Sequence, residues 1–452
     1  MTQNANALAL AALCFALVFP GAALAALLHS FDDPTPTQGD SFGWSVAIEG
    51  NHVVIAAPWD DTHGGNVGQV FLFDATSGSL VRTLDDPTVA VPASTSNDRF
   101  GYSVAIDGNR VLVGAPLDNT TAFNNGQAHL FDAATGSPLQ VFNDPSPTTN
   151  QDFGQSVALS AGGVLIGVPA DDTHGSNVGI AHLFDAGTGD PGDVPFFAAT
   201  SDNFGWSVAI DGSLVLAGAP FDSTLGTNVG RAYLFDAAPD PPILLHTFEN
   251  PSVKLADQFG FSVAIDAGRV LIGAHGDDTQ GLGVGQAYLF DATTGNLLHT
   301  FDDPTPGPNG GDEFGRAVAI DGNHVLIGAR SDGTLPNSCA GACGQAHLFD
   351  ATTGNLEQTY DDPFPNNPGE HRFGHAVAID GNRVLIGAYA DASAGSFVGR
   401  AYLFDLNGNA TPSSLPALSV PSLWICIFGL LASILVMLRR AERSPKGTTG
   451  NN

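Results

Sequence analysis

An all-β fold, a closed ring of seven four-stranded blades, is what this sequence predicts, and three observations predict it. The dipeptide Phe-Gly recurs at Phe42, Phe100, Phe153, Phe204, Phe259, Phe314 and Phe373, at intervals of 51 to 59 residues. Each copy runs through four short apolar segments separated by turn residues, the pattern of an antiparallel meander. The last copy lacks its fourth segment, and a spare one stands at the N-terminus. A single small sheet cannot bury both faces, so the copies must stack. Seven four-stranded sheets suit a radial array, a seven-bladed β-propeller, better than an open solenoid.

The unit from Phe259 to Pro304 shows the elements in order. FGFSVAI alternates bulky and small residues, placing Phe259, Phe261, Val263 and Ile265 on one face and Gly260, Ser262 and Ala264 on the other. A tight Asp-Ala-Gly turn, mostly Asp-Gly-Asn in other copies, leads to RVLIGA. A longer loop precedes QAYLF, and DATTGN then turns the chain into LLHTF. The third strand ends in Phe-Asp in every copy, at Phe73, Phe131, Phe184, Phe235, Phe290, Phe349 and Phe404. Six copies are expected to carry a fourth strand, whereas the seventh stops at Asp405. Leu27 to Pro34, LLHSFDDP, nearly repeats LLHTFDDP at Leu297 to Pro304, so it is expected to complete the last blade. Closure of this kind removes exposed sheet edges.

The motif FG-x-S-V-A-I, a following Gly-Ala-Pro as in Gly114-Ala115-Pro116 and Gly218-Ala219-Pro220, and a third strand ending in Leu-Phe resemble the FG-GAP repeat. That resemblance spans about residues 27 to 405 and implies the seven-bladed propeller of integrin α subunits and of bacterial surface proteins. It also implies calcium sites in a D-x-D-x-D-G loop between strands one and two. Here those connections have shrunk to turns such as Asp107-Gly108-Asn109, too short for a calcium ligand set, so calcium of the integrin type is not expected there.

Residues 1–25 read as a signal peptide, with an apolar run from Ala7 to Leu24 and Ala23-Leu24-Ala25 as a cleavage site. The propeller is assigned to residues 26–406, a polar linker to 407–419 and an apolar helix to 420–438, near the ~20 residues that span a bilayer. The tail 439–452 carries Arg439, Arg440, Arg443 and Lys446, which places it in the cytoplasm and the propeller outside. LPALSVPSLW followed by an apolar helix and Arg-Arg resembles bacterial sorting tails of the PEP-CTERM or IPTL-CTERM kind; a plain membrane anchor fits equally.

The chain holds 46 acidic residues against 15 Lys and Arg, four of the latter in the tail, for a net charge of −31. Such a surface repels nucleic acid and anionic lipid. In a propeller the 1–2 and 3–4 turns share one face, and the long 2–3 and 4–1 loops share the other. The second face is the expected binding surface, because variable loops on a rigid scaffold gather binding residues. An aspartate recurs in every 2–3 loop: Asp60, Asp118, Asp171, Asp222, Asp277, Asp332 and Asp391. These are the candidate ligand-binding residues, a ring able to attract basic groups or, weakly, divalent cations such as calcium. The competing structural reading makes each one an Asx-turn.

An enzyme is not expected, since nucleophile elbow, HExxH and phosphate-loop motifs are missing. His129, His182 and His347 interchange with Phe71, Tyr233, Tyr288 and Tyr402 on the third strand and read as scaffold; His63, His174 and His275 lie near loop aspartates and are the only candidate ligands of their type. Cys339 and Cys343, spaced C-x3-C in one exported loop, are a disulfide candidate. The expected role is a monomeric, surface-displayed binding or adhesion module for an extracellular protein or glycan. A polysaccharide-acting enzyme on the same scaffold and a purely structural envelope component are the alternatives.

Overall fold

The computed structural model describes residues 26–88, 97–192, 196–197, 202–307, 310–333, 343–364, 370–392 and 397–407. The segments assigned above to a signal peptide, to the linker beyond residue 407, to an apolar helix and to a basic tail therefore lie outside the described residues, as does Cys339. Cys343 is disulfide-bonded.

Seven antiparallel sheets form the ring, six of them four-stranded. Blade one holds Ser45–Glu49, His52–Ala57, Gln69–Asp74 and Leu80–Asp85, in that spatial order from the axis outward. Blades two, four, five and six repeat it. Blade seven is assembled from Ala376–Asp380, Arg383–Ala388 and Arg400–Asp405, with the N-terminal strand Ala26–Asp32 as its outer member. That strand pairs from Ala26 opposite Asp405 to Asp32 opposite Arg400. The two ends of the chain thus close the ring as expected.

Blade three departs from expectation. Among the described residues it has three strands, Ser156–Leu159, Gly163–Val168 and Ile180–Asp185, and only the isolated bridges Phe184–Pro191 and Ala181–Phe196 stand where a fourth strand runs elsewhere. The sequence there, DPGDVPFF, places two prolines where a ladder needs N–H donors.

The core lies between blades. Each of seven buried clusters is drawn from two adjacent blades; one joins Val54, Val70, Leu72 and Leu84 of blade one to Phe100, Val111 and Phe131 of blade two. The Phe of each Phe-Gly meets the third-strand Phe of its own blade edge-to-face, as in Phe100–Phe131 at 5.8 Å and Phe259–Phe290 at 6.2 Å.

In six blades the Phe-Gly pair is not part of the inner strand, which begins two residues later at Ser103 or Ser262; in blade six the strand runs Phe314–Asp321 with a register break between Phe314 and Ala317. The pair forms a hook at the joint between blades. The Phe N–H donates to the preceding blade, as in Phe42 to Val398 O (2.8 Å) and Phe259 to Val229 O (2.9 Å). The glycine then adopts positive φ, +88° at Gly260, and a Cβ there would lie 2.3 Å from Arg231 O. The inner-strand serine of the preceding blade completes the joint, Ser207 Oγ donating to Gly260 O at 2.9 Å. A helix or a bulky side chain could not pass through so close a contact, which is why the motif is small after the ring.

Candidate functional site

The 1–2 turns on the opposite face are two-residue hairpins, with Asp107 paired to Arg110 across the turn. Their acids serve neighbouring blades: Gly50 N–H donates to Asp380, Gly108 to Glu49 and Gly322 to Asp266.

On the long-loop face, all seven predicted aspartates are at most 2% exposed. They do not form a ring of solvent-facing carboxylates. In Asp60, Asp118, Asp171, Asp222 and Asp277 one oxygen closes an Asx-turn, accepting the N–H of Thr62, Thr120, Thr173, Thr224 and Thr279 at 2.6–2.8 Å. The other oxygen is taken inside the joint: Tyr233, Tyr288 and Tyr402 hydroxyls donate to Asp222, Asp277 and Asp391, each at 2.9 Å.

Six of these aspartates stand with two further groups that the sequence reading passed over, and Asp222 with one. One follows the fourth strand, at Asp33, Asp86, Asp144, Asn250, Asp303 and Asp362; the other stands two residues before the Phe, at Asp40, Asp98, Gln151, Asp202, Asp257, Asp312 and His371. All thirteen are buried. The residue between the latter group and the Phe has positive φ in all seven copies, from Ser41 to Arg372. That turn points the preceding side chain into the joint. Three acids from two loops therefore share a pocket at Asp33/Asp40/Asp60 and at Asp86/Asp98/Asp118, and mixed sets form at Asp303/Asp332/His347 and Asp362/His371/Asp391, with ligand atoms within 4.8 Å of one another. The signal was present as D-x-F-G and D-D-P in copy after copy, but only the ring brings the two motifs together.

The histidines divide differently from expectation. His347, read as scaffold, has its Nε2 3.9 Å from Asp303. His63 lies 3.7 Å from Asp85, and His174 stacks on Phe197. His275 packs on Phe261 at 4.2 Å, where burial and the Arg316 guanidinium hold it down to about 3.

A second feature lies on the axis. The residue after each Phe-Gly, Trp44, Tyr102, Gln155, Trp206, Phe261, Arg316 and His375 in turn, lines a cavity of about 310 Å³. Residues at the start of the 2–3 loops pack over this ring: Trp59 lies 4.5 Å from Trp44, Phe221 5.3 Å from Trp206 and Tyr389 4.5 Å from His375. One side is aromatic, around Trp44. The other is charged: Arg330 Nε donates to Glu313 at 2.6 Å, Arg316 Nη1 lies 3.6 Å from it, and Arg316 sits over Phe261 at 4.7 Å. Burial raises the Glu313 carboxyl, but the Arg330 and Arg316 charges outweigh it and hold it low. Burial, then Arg330, brings Arg316 down to about 10.

The repeat, the hooked Phe-Gly joint and the closed ring find their counterpart in one family. The sequence matches the FG-GAP repeat over residues 36–73, 93–131, 146–184, 198–235, 254–290, 306–349 and 369–404, more than half of the chain. The chain belongs to the FG-GAP repeat family. Its seven matches fall one per blade, so this FG-GAP propeller is of the integrin α type. No curated protein sequence matches the chain.

Proposed function

We propose that this FG-GAP propeller is an exported, C-terminally anchored binding or adhesion module that acts without catalysis and receives an extracellular protein or glycan on its long-loop face. The fold is consistent with a binding or adhesion module. One observation carries the choice of site. Joint residues repeat from blade to blade, whereas the axial position holds six different residue types in seven copies. Variation confined to one ring on a repeated scaffold is what a recognition surface needs. Trp and Tyr faces suit sugar rings or apolar anchors, and Arg316 with Arg330 suits an acidic group. The seven loop aspartates would support that surface from beneath.

A polysaccharide-acting enzyme has one observation in its favour, the gathering of Glu313, His275 and His375 off the symmetry pattern. The protonation states weigh against it. Glu313 is held ionised, His275 is held near 3 and His375 well below its usual value by burial and Arg330, so these three groups hold no donor–acceptor pair poised near neutrality. Binding of the full chain to arrays of glycans and matrix proteins, repeated with Trp44→Ala and Arg316→Ala, is the test. Each variant should lose at least about tenfold in affinity, a change of ~1.4 kcal/mol. Binding that survives both would remove the axial site, and release of shortened glycans would replace the reading with the enzymatic one.

A further inference from the structure

We infer that the cleft between blades three and four, on the face of the short turns, is a binding site for an arginine side chain of a partner protein. It lies opposite the long loops and is independent of the axial site.

The first residue of each second strand sets the pattern. In chain order it is His52, Arg110, Gly163, Leu214, Arg269, His324 and Arg383. Where it is arginine, the side chain crosses to the next blade and donates to a carbonyl of that blade's 1–2 turn. Arg110 reaches Ser160 O at 3.1 Å, Arg269 reaches Gly322 O at 2.7 Å, and Arg383 reaches Gly50 O. Leu214 packs against the core between its own blade and the next. Gly163 has no side chain to send. The turn that follows it in the ring, Asp211-Gly212-Ser213, therefore receives no arginine from blade three.

The result is a cleft of about 830 Å³ walled by both blades. Two sister clefts open on the same face, and each has a base built into its wall. The one between blades six and seven, about 330 Å³, sets His324 against Glu357 at 3.0 Å. The one between blades seven and one, about 600 Å³, carries Arg383 with Asp380 and Asp405. The largest cleft carries Asp107, Asp185, Asp190 and Asp211, and among the described residues its wall has no Lys, Arg or His. Ion pairs among the described residues reach Asp107 alone of these four, from Arg110 at 2.6 Å.

The floor is apolar. Leu183 and Ile210 meet beneath Gly163, where a Cβ would lie 3.1 Å from a methyl of each. Leu183 is half-buried, whereas the third-strand leucines of the other six blades, from Leu72 to Leu403, are at most 2% exposed. Blade three covers it with neither a regular outer strand nor a side chain at position 163.

An arginine matches both halves of this surface. Its aliphatic stem covers Leu183 and Ile210 while the guanidinium stays at the wet rim. Its fork donates to Asp211 and to the Gly212 carbonyl, as Arg269 and Arg383 already donate to the matching turns of their neighbours. A purely apolar anchor would leave the aspartates without a counter-charge, and an anion would be repelled.

NMR of the full chain with ¹³C-labelled Leu and Ile methyl groups tests this, with N-acetyl-L-arginine amide as the probe. The methyl signals of Leu183 and Ile210 should shift and saturate. N-acetyl-L-citrulline amide, the same shape without the charge, should bind at least about tenfold more weakly. Gly163→Arg supplies the missing side chain from within. Position 163 does not have positive φ, and its nearest neighbours are the ends of flexible side chains, so the blade should accept the change. That variant should no longer respond to the probe. Asp211→Asn, on the half-buried rim, should weaken binding about threefold or more, and it decides the matter if Gly163→Arg does not fold. Absence of saturation, equal binding of the citrulline compound, or undiminished binding in either variant would overturn the inference.

Discussion

Substituting Phe31 by Ala probes whether the ring is closed in energy as well as in geometry. Phe31 is 2% exposed on the N-terminal strand, with its ring 4.8 Å from Phe73 of blade one. Phe248 is its twin in blade four, 3% exposed and 4.8 Å from Phe290. Burial, partner and sheet position match; only the connection differs. Phe248 is tied to its blade by a turn, and Phe31 to blade seven by pairing alone. Each truncation leaves a cavity and should cost about 3–5 kcal/mol in a cooperative ring. Urea unfolding of Phe31→Ala and Phe248→Ala supplies the comparison, with amide exchange of Arg400–Asp405 as a local reporter of strand release. Equal losses, with exchange at that edge following global unfolding, are expected. A loss below about 1 kcal/mol for Phe31→Ala, beside a full loss for Phe248→Ala, would show that the N-terminal strand rests on the ring without closing it.

Other outcomes follow from the joints. Gly218→Ala should cost at least about 1–3 kcal/mol in urea unfolding, since its Cβ would lie 2.0 Å from Gly260 O and 2.4 Å from Ser207 Oγ. Gly212→Ala, with nothing within 4 Å but φ +58°, should cost only about 1 kcal/mol for its backbone. Ser262→Ala removes the hydroxyl bond to Gly315 O and should cost about 1 kcal/mol; blades six and seven already carry Ala317 and Ala376 there. Asp33→Asn should match the parent near pH 4 and gain on it as pH rises toward 7. The sign follows from a carboxyl whose folded value, about 7, exceeds the unfolded 3.8: the folded state holds a proton that the unfolded state has lost, so the parent loses stability across that window. The gain is bounded by about 4 kcal/mol, and thermal melts at stepped pH measure it.

The propeller was legible because its evidence is local and repeated: Phe-Gly spacing counts blades, and LLHSFDDP announces its own place. Blade three was misjudged where DPGDVPFF was allotted a fourth strand despite its prolines. The Phe-Gly pair was misplaced for another reason. Alternation of large and small residues extends a strand on paper, but the positive φ of Gly260 and the Phe259 bond to the previous blade bend it into a hook. The loop aspartates were found, yet their burial was not, because Asp60 meets Asp33 and Asp40 of another loop, one that is anchored at its start by the N-terminal strand on blade seven. His347 looked like a tyrosine substitute, and its nearness to Asp303 exists only across a joint.

The pairing of Ala26–Asp32 with Arg400–Asp405 also has a consequence for time. Asp32 and Arg400, 2.6 Å apart in the ring, are separated by 368 positions along the chain. The first strand synthesised must wait for the last. Contacts of such range form late, because a long loop has to be closed before they return any free energy. Until then both ends of an arc of blades stand open, one offering the bare edge of Arg400–Asp405 and the other the unhooked Phe42. Nascent chains in that interval could pair with one another as readily as with themselves. The clasp that protects the finished disc is thus the step at which its assembly is most exposed to concentration, and dilution or an early-binding chaperone should favour closure over swapping of N-terminal strands between chains.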